Sequence, residues 1–336
     1  MVCSCVVAAH VIIPLQSTGW ISTDVNVTQI DSNVAHIRTT LDKASSPGTL
    51  RSMANLAETY RNQGRWSEAE QLELQVMEKT KTLLGENHPD TLTSMANLAA
   101  TYWNQGRWSE AEQLQSQVME KRKILLGEDH PDTLTSMANL AAIYLKQGRW
   151  SEAEQLQLQV MEKTKTLLGE DHPDTLTSMA NLAATYSNQG QWSEAEQLEV
   201  QVMKKRKTLF REDHPHTLTS MANLAATYSK QGQWSEAKQL KMQVMKKTQT
   251  LLGEDHPHTL TSMANLAATY SNQRQWSEAE QLQLQVMEKR KTLLREDHPD
   301  TLESMASLAA TYQNHLGEDT LSITDNFAST HQKQGW

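Results

Sequence analysis

Histidine returns at one spacing along this chain: His88, His130, His172, His214, His256 and His298 stand 42 residues apart. A row of imidazoles raises the question of a metal, because imidazole nitrogen is a common ligand. The spacing argues against a shared site. One histidine per stacked helical unit puts successive rings about 10 Å apart, the thickness of a helix layer, whereas ligands to one zinc lie ~2 Å from it. His214 with His216 and His256 with His258 are closer pairs, but each lacks a cysteine or carboxylate at ligand spacing. Cys3 and Cys5 are the only cysteines and read as an incidental terminal pair. Neither a Gly-rich phosphate loop nor a nucleophile elbow is present, so the expectation is a non-enzymatic protein without metal or cofactor.

A second row has different chemistry. Asn55, Asn97, Asn139, Asn181, Asn223 and Asn265 share the same spacing. A carboxamide both donates and accepts, so a line of them can hold the backbone of an extended peptide without reading its sequence. The alternative is a surface amide bonded within its own unit. Six residues after each Asn the array varies, through Arg61, Trp103, Leu145, Ser187, Ser229, Ser271 and Gln313. The next position alternates amide and ammonium, with Lys146 and Lys230 among asparagines. Unlike residues at one facing position make a groove selective. Trp103 and Leu145 offer an apolar spot, and Arg61, Lys146 and Lys230 would receive acidic side chains. Neutral drift at an exposed position is the competing explanation.

These residues are positioned by a 42-residue unit, given in full by Asp90–Pro131. Six copies start at Gly48, Asp90, Asp132, Asp174, His216 and His258, and a broken seventh starts at Asp300. Within the unit, Met95, Leu98, Ala99 and Tyr102 lie at i, i+3, i+4 and i+7, which predicts a first helix over about 91–104 with one buried stripe. Asp90 after Pro89 is the expected N-cap, and Gly106 the expected left-handed closing residue. Ser109 and Glu112 have the spacing of a capping box for a second helix burying Ala111, Leu114, Val118 and Leu125. A single pair cannot bury both apolar faces, so units must stack. Arg211, Arg274 and Arg295 replace glycine at helix ends, each expected to cost about 1 kcal/mol if the position is left-handed.

The fold class expected is all-α, an α-solenoid of antiparallel helix pairs, and a fixed period makes one elongated body the better domain count than the 336-residue length alone. Residues 1–47 read as a degenerate segment in which Val34, Ile37 and Leu41 mark a capping helix, residues 48–314 as the array, and residues 315–336 as a truncated, decayed terminal repeat resembling an eighth first helix. A net charge of −9 with 5% aromatics argues against a nucleic-acid surface. Two cysteines fit a reducing compartment. Val6 to Ile13 is apolar but too short to span a membrane, and the reading is cytoplasmic, with a signal peptide as the alternative. The basic run Lys204–Lys207, with Lys238, Lys241, Lys246 and Lys247, reads as a solvated face, or else as a patch for an acidic partner.

Leu98, Ala99, Tyr102 and Ala111 match the consensus places of the tetratricopeptide family, which this unit resembles. The 42-residue period, the L-G-E-D-H-P linker and the A-N-L-A…Y…Q-G-R-W…E-A-E run resemble the kinesin light chain subclass, and more closely the C-terminal arrays of fungal NTPase-based immune-type receptors. The resemblance covers Gly48 to Asn314. It departs where the second helix should carry a large aromatic, since Gln115 and its equivalents stand there, with Val118 for the usual alanine. The family implies a right-handed superhelix with first helices lining a concave groove, asparagines holding a peptide backbone there, and, for the kinesin light chain type, acidic ligands bearing an aromatic. The function implied is a scaffold binding an extended peptide or partner segment. The alternative is a sensor or oligomerisation arm of a larger NTPase-type receptor. The sequence leaves the oligomeric state open.

Overall fold

The computed structural model describes residues 46–294, 296 and 298–333. The stretches Val6–Ile13 and Val34–Leu41, the cysteine pair and Arg295 lie outside the described residues. Thirteen helices follow one another, with no strand among the described residues: α1 Pro47–Asn62, α2 Trp66–Leu84, α3 Pro89–Asn104, α4 Trp108–Leu126, α5 Pro131–Lys146, α6 Trp150–Leu168, α7 Pro173–Gln189, α8 Trp192–Phe210, α9 Pro215–Lys230, α10 Trp234–Leu252, α11 Pro257–Asn272, α12 Trp276–Leu294 and α13 Pro299–Lys333. They form two compact units, dividing after Gly190. In the first, each helix from α1 to α7 packs on the next; in the second, the same holds from α8 to α13. Short turns make neighbours antiparallel, as an all-α solenoid requires.

Each first helix begins with proline, whose locked φ and missing N–H suit the first helical position. That places the cap two residues earlier than the sequence reading puts it. His88, not Asp90, is the N-cap: its Nδ1 accepts the Asp90 N–H at 3.1 Å, and His130 treats Asp132 alike at 3.1 Å. Asp90 stands in the first turn, where a carboxylate meets the positive end of the helix dipole. The linker is tied by Thr91, whose fully buried hydroxyl donates to the Gly85 carbonyl at 2.8 Å.

The second helices start at tryptophan, and the Ser109–Glu112 capping box does not form. Arg107 occupies the cap position of α4 without a side-chain cap bond. The Glu112 carboxylate is used elsewhere, taking Arg149 Nη1 at 2.7 Å and Gln147 Nε2 at 2.8 Å from the next unit. Between the helices Gly106 has φ +76°, and Arg274 holds the same left-handed place at φ +58°.

The core is thin and repeated. Leu92 and Met95 of α3 cluster with Val118 and Leu114 of α4, and Ala111 and its five counterparts are fully buried. Leu125, expected inside, is exposed. One turn after Val118 the inward direction is taken by residue 122 instead, and this position alternates along the array as Thr80, Arg122, Thr164, Arg206, Thr248 and Arg290, all buried. Each reaches the serine fourteen residues on. Thr164 Oγ1 lies 2.9 Å from Ser178 Oγ, whereas Arg122 Nη1 donates to Ser136 Oγ at 3.0 Å and to the Asp132 carbonyl at 3.2 Å. The serine adjusts: beside threonine it donates to the carbonyl three residues back, as Ser178 to Thr175, and beside arginine to the one four back, as Ser136 to Asp132.

In the seventh unit α13 continues past Asn314 to Lys333 as one 35-residue helix, with no turn where the earlier units fold back.

Candidate groove on the first helices

The asparagines of the first helices keep their regular spacing but differ in exposure. Asn55 and Asn265 are exposed, Asn97, Asn139 and Asn223 are half-buried, and Asn181 is buried. None of these six side-chain amides makes a hydrogen bond within the described residues. Their main chains serve the helix: the Asn55 and Asn181 carbonyls accept from Thr59 and Thr185 four residues on, at 3.0 and 3.1 Å. The asparagine one helical turn and more beyond behaves differently, since Asn104 and Asn188 spend their Nδ2 on the carbonyls of Ala100 and Ala184.

From Arg61 to Ser271 the variable position is half-buried rather than fully open, and Arg61 and Ser229 meet a second polar position on the second helix, twelve residues on. There stand Glu73, Gln115, Gln157, Glu199, Lys241 and Gln283. Arg61 is engaged by this partner: its Nη1 donates to Glu73 Oε1 at 3.2 Å and to the Asn97 carbonyl at 3.2 Å. Burial pushes the Glu73 carboxyl up, and the Arg61 charge opposes it. At Lys241, in the second compact unit, the polarity is reversed. Lys241 Nζ donates to Ser229 Oγ at 3.0 Å and Thr269 Oγ1 at 2.7 Å, and burial lowers its pKa to about 8. Glu199, buried, is pushed up to about 7, with Lys230 acting against the shift. Gln157 has both side-chain polar atoms buried and without a partner.

Of the three residues Trp103, Leu145 and Lys146, the structure brings Lys146 of α5 to Trp103 of α3. The Lys146 ammonium lies 5.4 Å from the Trp103 ring centroid, a cation–π arrangement, and the Trp103 indole N–H is buried without an acceptor. Lys230 belongs to the second compact unit and is exposed.

The facing row on the second helices was missed in the sequence because its members read as equivalents of Gln115; the changes of charge at that column were the available signal. The expected basic face is also redistributed. Arg206 turns inward to Ser220 at 3.1 Å, Lys207 pairs with Glu212, and Lys247 bridges to Asp213 at 2.5 Å. The linker histidines are engaged as caps. Among the described residues no group of three or more histidine, cysteine or acidic side chains is gathered as a metal site, and no helix is long and apolar enough to cross a membrane.

Two tetratricopeptide repeat family models match the sequence, one at residues 48–123, 90–166 and 139–208, the other at 217–258 and 259–300. No curated protein matches it. Among solved structures, a Podosopora anserina protein of nearly identical TPR-like repeats, classed with kinesin light chains, is 34% identical over 62% of this chain and 98% of its own, with a TM-score of 0.53. A STAND ATPase from Pyrococcus horikoshii with a tetratricopeptide repeat sensor is 13% identical, covering 92% of this chain and 47% of its own at a TM-score of 0.59. A Rap protein complexed with Competence and Sporulation Factor is 12% identical, over 79% of this chain and 75% of its own, with a TM-score of 0.54. The last two share the fold.

Proposed function

The chain belongs to the tetratricopeptide repeat family, and from that premise we propose that it is a non-enzymatic interaction scaffold whose first helices hold an extended peptide or partner segment. Family membership supports the role of a protein-interaction scaffold. The finer reading rests on one observation: a regularly spaced row of carboxamides, Asn97, Asn139 and Asn181 among them, that makes no side-chain hydrogen bond among the described residues. Such groups retain donors and acceptors for a peptide backbone, and a peptide that arrives extended can meet one amide after another.

Selectivity comes from the neighbouring column. Trp103 and Leu145 supply apolar contact, and Lys146, held over the Trp103 ring, supplies positive charge beside it. This favours a ligand with an apolar or aromatic anchor followed by an acidic residue. Arg61 contributes less to that charge, because Glu73 already neutralises it. Lys230 carries positive charge at the equivalent place of its own unit. The setting we assign is cytoplasmic, where two terminal cysteines stay reduced.

Panning a displayed peptide library over the full chain tests the reading. Enrichment of acidic peptides with an aromatic is expected on the wild type and not on an Asn97→Ala, Asn139→Ala, Asn181→Ala variant. Equal enrichment on both would contradict it.

A further inference from the structure

Tyr60, Tyr102 and Tyr144, near the ends of α1, α3 and α5, each carry a guanidinium on the ring. Cζ of Arg65, Arg107 and Arg149 lies 4.2, 4.1 and 4.0 Å from the respective ring centroid. Carboxylates and an amide hold the arginine on its other sides. Arg107 Nη1 donates to Glu70 Oε1 at 2.8 Å and to Gln105 Oε1 at 3.0 Å, and its Nε donates to Glu110 Oε1 at 2.9 Å. Arg149 repeats the pattern with Glu112, Gln147 and Glu152 at 2.7, 3.1 and 2.8 Å. A planar cation with several donors suits such a cradle, stacking on the ring while its edges bond the oxygens.

The second compact unit keeps the cradle and loses the arginine. Three repeats on, Tyr228, Glu196, Gln231 and Glu236 stand for Tyr102, Glu70, Gln105 and Glu110, and Gln233 stands for Arg107. The turn itself is unchanged. Arg107 has φ −85° and ψ 64°, Gln233 has φ −80° and ψ 68°, and the N–H of each donates to its tyrosine carbonyl at 2.9 Å. Gln231 Nε2 donates to Glu196 Oε2 at 3.0 Å, as Gln105 Nε2 does to Glu70 Oε2 at 2.8 Å. Only the cation is missing. Gln231 Oε1, whose counterparts on Gln105 and Gln147 accept from arginine, is buried with no hydrogen-bond partner. Among the described residues Glu196 Oε1 accepts no hydrogen bond and no cation stands over the Tyr228 ring. Burial and the negative charges of Glu196 and Glu236 hold the Tyr228 hydroxyl above its ordinary pKa. The next unit fills the place differently: Lys238, where the other units carry glutamate, lies 4.7 Å from the Tyr270 ring centroid and donates to Gln275 Oε1 at 2.9 Å.

We infer that Tyr228, Glu196, Gln231 and Glu236 form a site for an arginine side chain of a partner protein, whose guanidinium takes the place that Arg107 and Arg149 fill in their own units. It lies over the Tyr228 ring, donates to Glu196 Oε1 and Gln231 Oε1, and meets the Glu236 carboxylate with a further nitrogen. Binding gives the buried Gln231 oxygen the hydrogen bond it lacks, and a buried acceptor left unpaired is costly. Gln233 is exposed and its side chain makes no hydrogen bond among the described residues, so it swings aside without disturbing the core. None of these residues belongs to the asparagine row or to the variable column. The site therefore stands or falls independently of the groove, and it takes a basic residue of the partner rather than an acidic one.

Side-chain amide NMR of the full chain titrated with acetyl-Gly-Arg-Gly-amide tests this, beside the lysine and citrulline counterparts of that peptide. The arginine peptide should shift the Gln231 side-chain amide signal saturably. The lysine peptide should act more weakly, and citrulline, which has the shape without the charge, should not act at all. Glu196→Gln, with helix content checked by circular dichroism, should bind about tenfold more weakly for want of a charged acceptor. Gln233→Arg fills the site from within, as Arg107 does. Its Gln231 signal should be shifted before any peptide is added and should then stay in place. An arginine peptide that leaves the wild-type Gln231 signal unmoved overturns the proposal. So does an equal response to the lysine or citrulline peptide, and so does undiminished binding in either variant.

Discussion

Arg122, on the inward side of α4, donates from Nη1 to Ser136 Oγ of the next first helix at 3.0 Å, and in the units on either side a threonine makes the corresponding contact. Two chemically different side chains thus serve one buried place, because the serine rotates between carbonyls three and four residues back. The array is built on a double unit, twice the 42-residue period, at this position.

That exchange sets a ranking for Arg206, which bonds Ser220 Oγ at 3.1 Å and the His216 carbonyl at 3.3 Å. Its pKa is lowered to about 10 by burial. Arg206→Ala removes hydrogen bonds from a charged donor and leaves a void, at a cost of about 2 kcal/mol. Arg206→Thr reproduces the contact of the alternate units and should cost under about 1 kcal/mol. Urea midpoints of the two variants check the order; equal losses would contradict the serine adjustment.

Glu199 gives a pH dependence of defined sign. Burial raises its folded pKa to about 7 from the model-compound value of 4.5, so between those values the folded chain binds more protons than the unfolded one. Stability is then highest below about pH 4.5 for this group and falls as pH rises toward 7. Glu199→Gln, which copies Gln115 and Gln157, should stabilise the chain at pH 8, by at most about 3 kcal/mol, and change little at pH 4.5. Thermal unfolding at the two pH values measures it.

Arg274 occupies a left-handed backbone position that glycine takes in most units. Arg274→Gly should raise stability by about 1 kcal/mol, and Gly232→Arg should lower it by a similar amount. At Gly232 an added Cβ would lie 3.9 Å from Trp234 Nε1, an ordinary contact, so the cost there is backbone strain alone. Denaturant unfolding of both variants reads the two opposite signs.

The helix pairs were legible because every unit repeats the same apolar spacing between proline and glycine. The cap was misread at Asp90, although proline at the first helical position already assigns it to His88. The capping box was misread because Glu112 has a better partner in Arg149 than a local N–H. Inward-facing Arg122 and Gln115 were hidden because polar residues in a helix resemble solvent-facing ones; only their pattern along the array, alternating threonine with arginine or changing charge, marks them as buried. Trp103, Leu145 and Lys146 were grouped from the sequence, and the structure adds the cation–π geometry. It also adds the ion pair that occupies Arg61.

The row of amides on the first helices is the centre of the account, and titration calorimetry of one selected peptide tests it most directly. Three proteins are compared: wild type, the Asn97→Ala, Asn139→Ala, Asn181→Ala variant, and a control with Gln113→Ala and Gln155→Ala on exposed places of the second helices. Loss of three backbone contacts at about 1 kcal/mol each predicts roughly a hundredfold weaker binding for the asparagine variant, with wild-type affinity in the control. Unchanged affinity in a normally helical asparagine variant would contradict the groove.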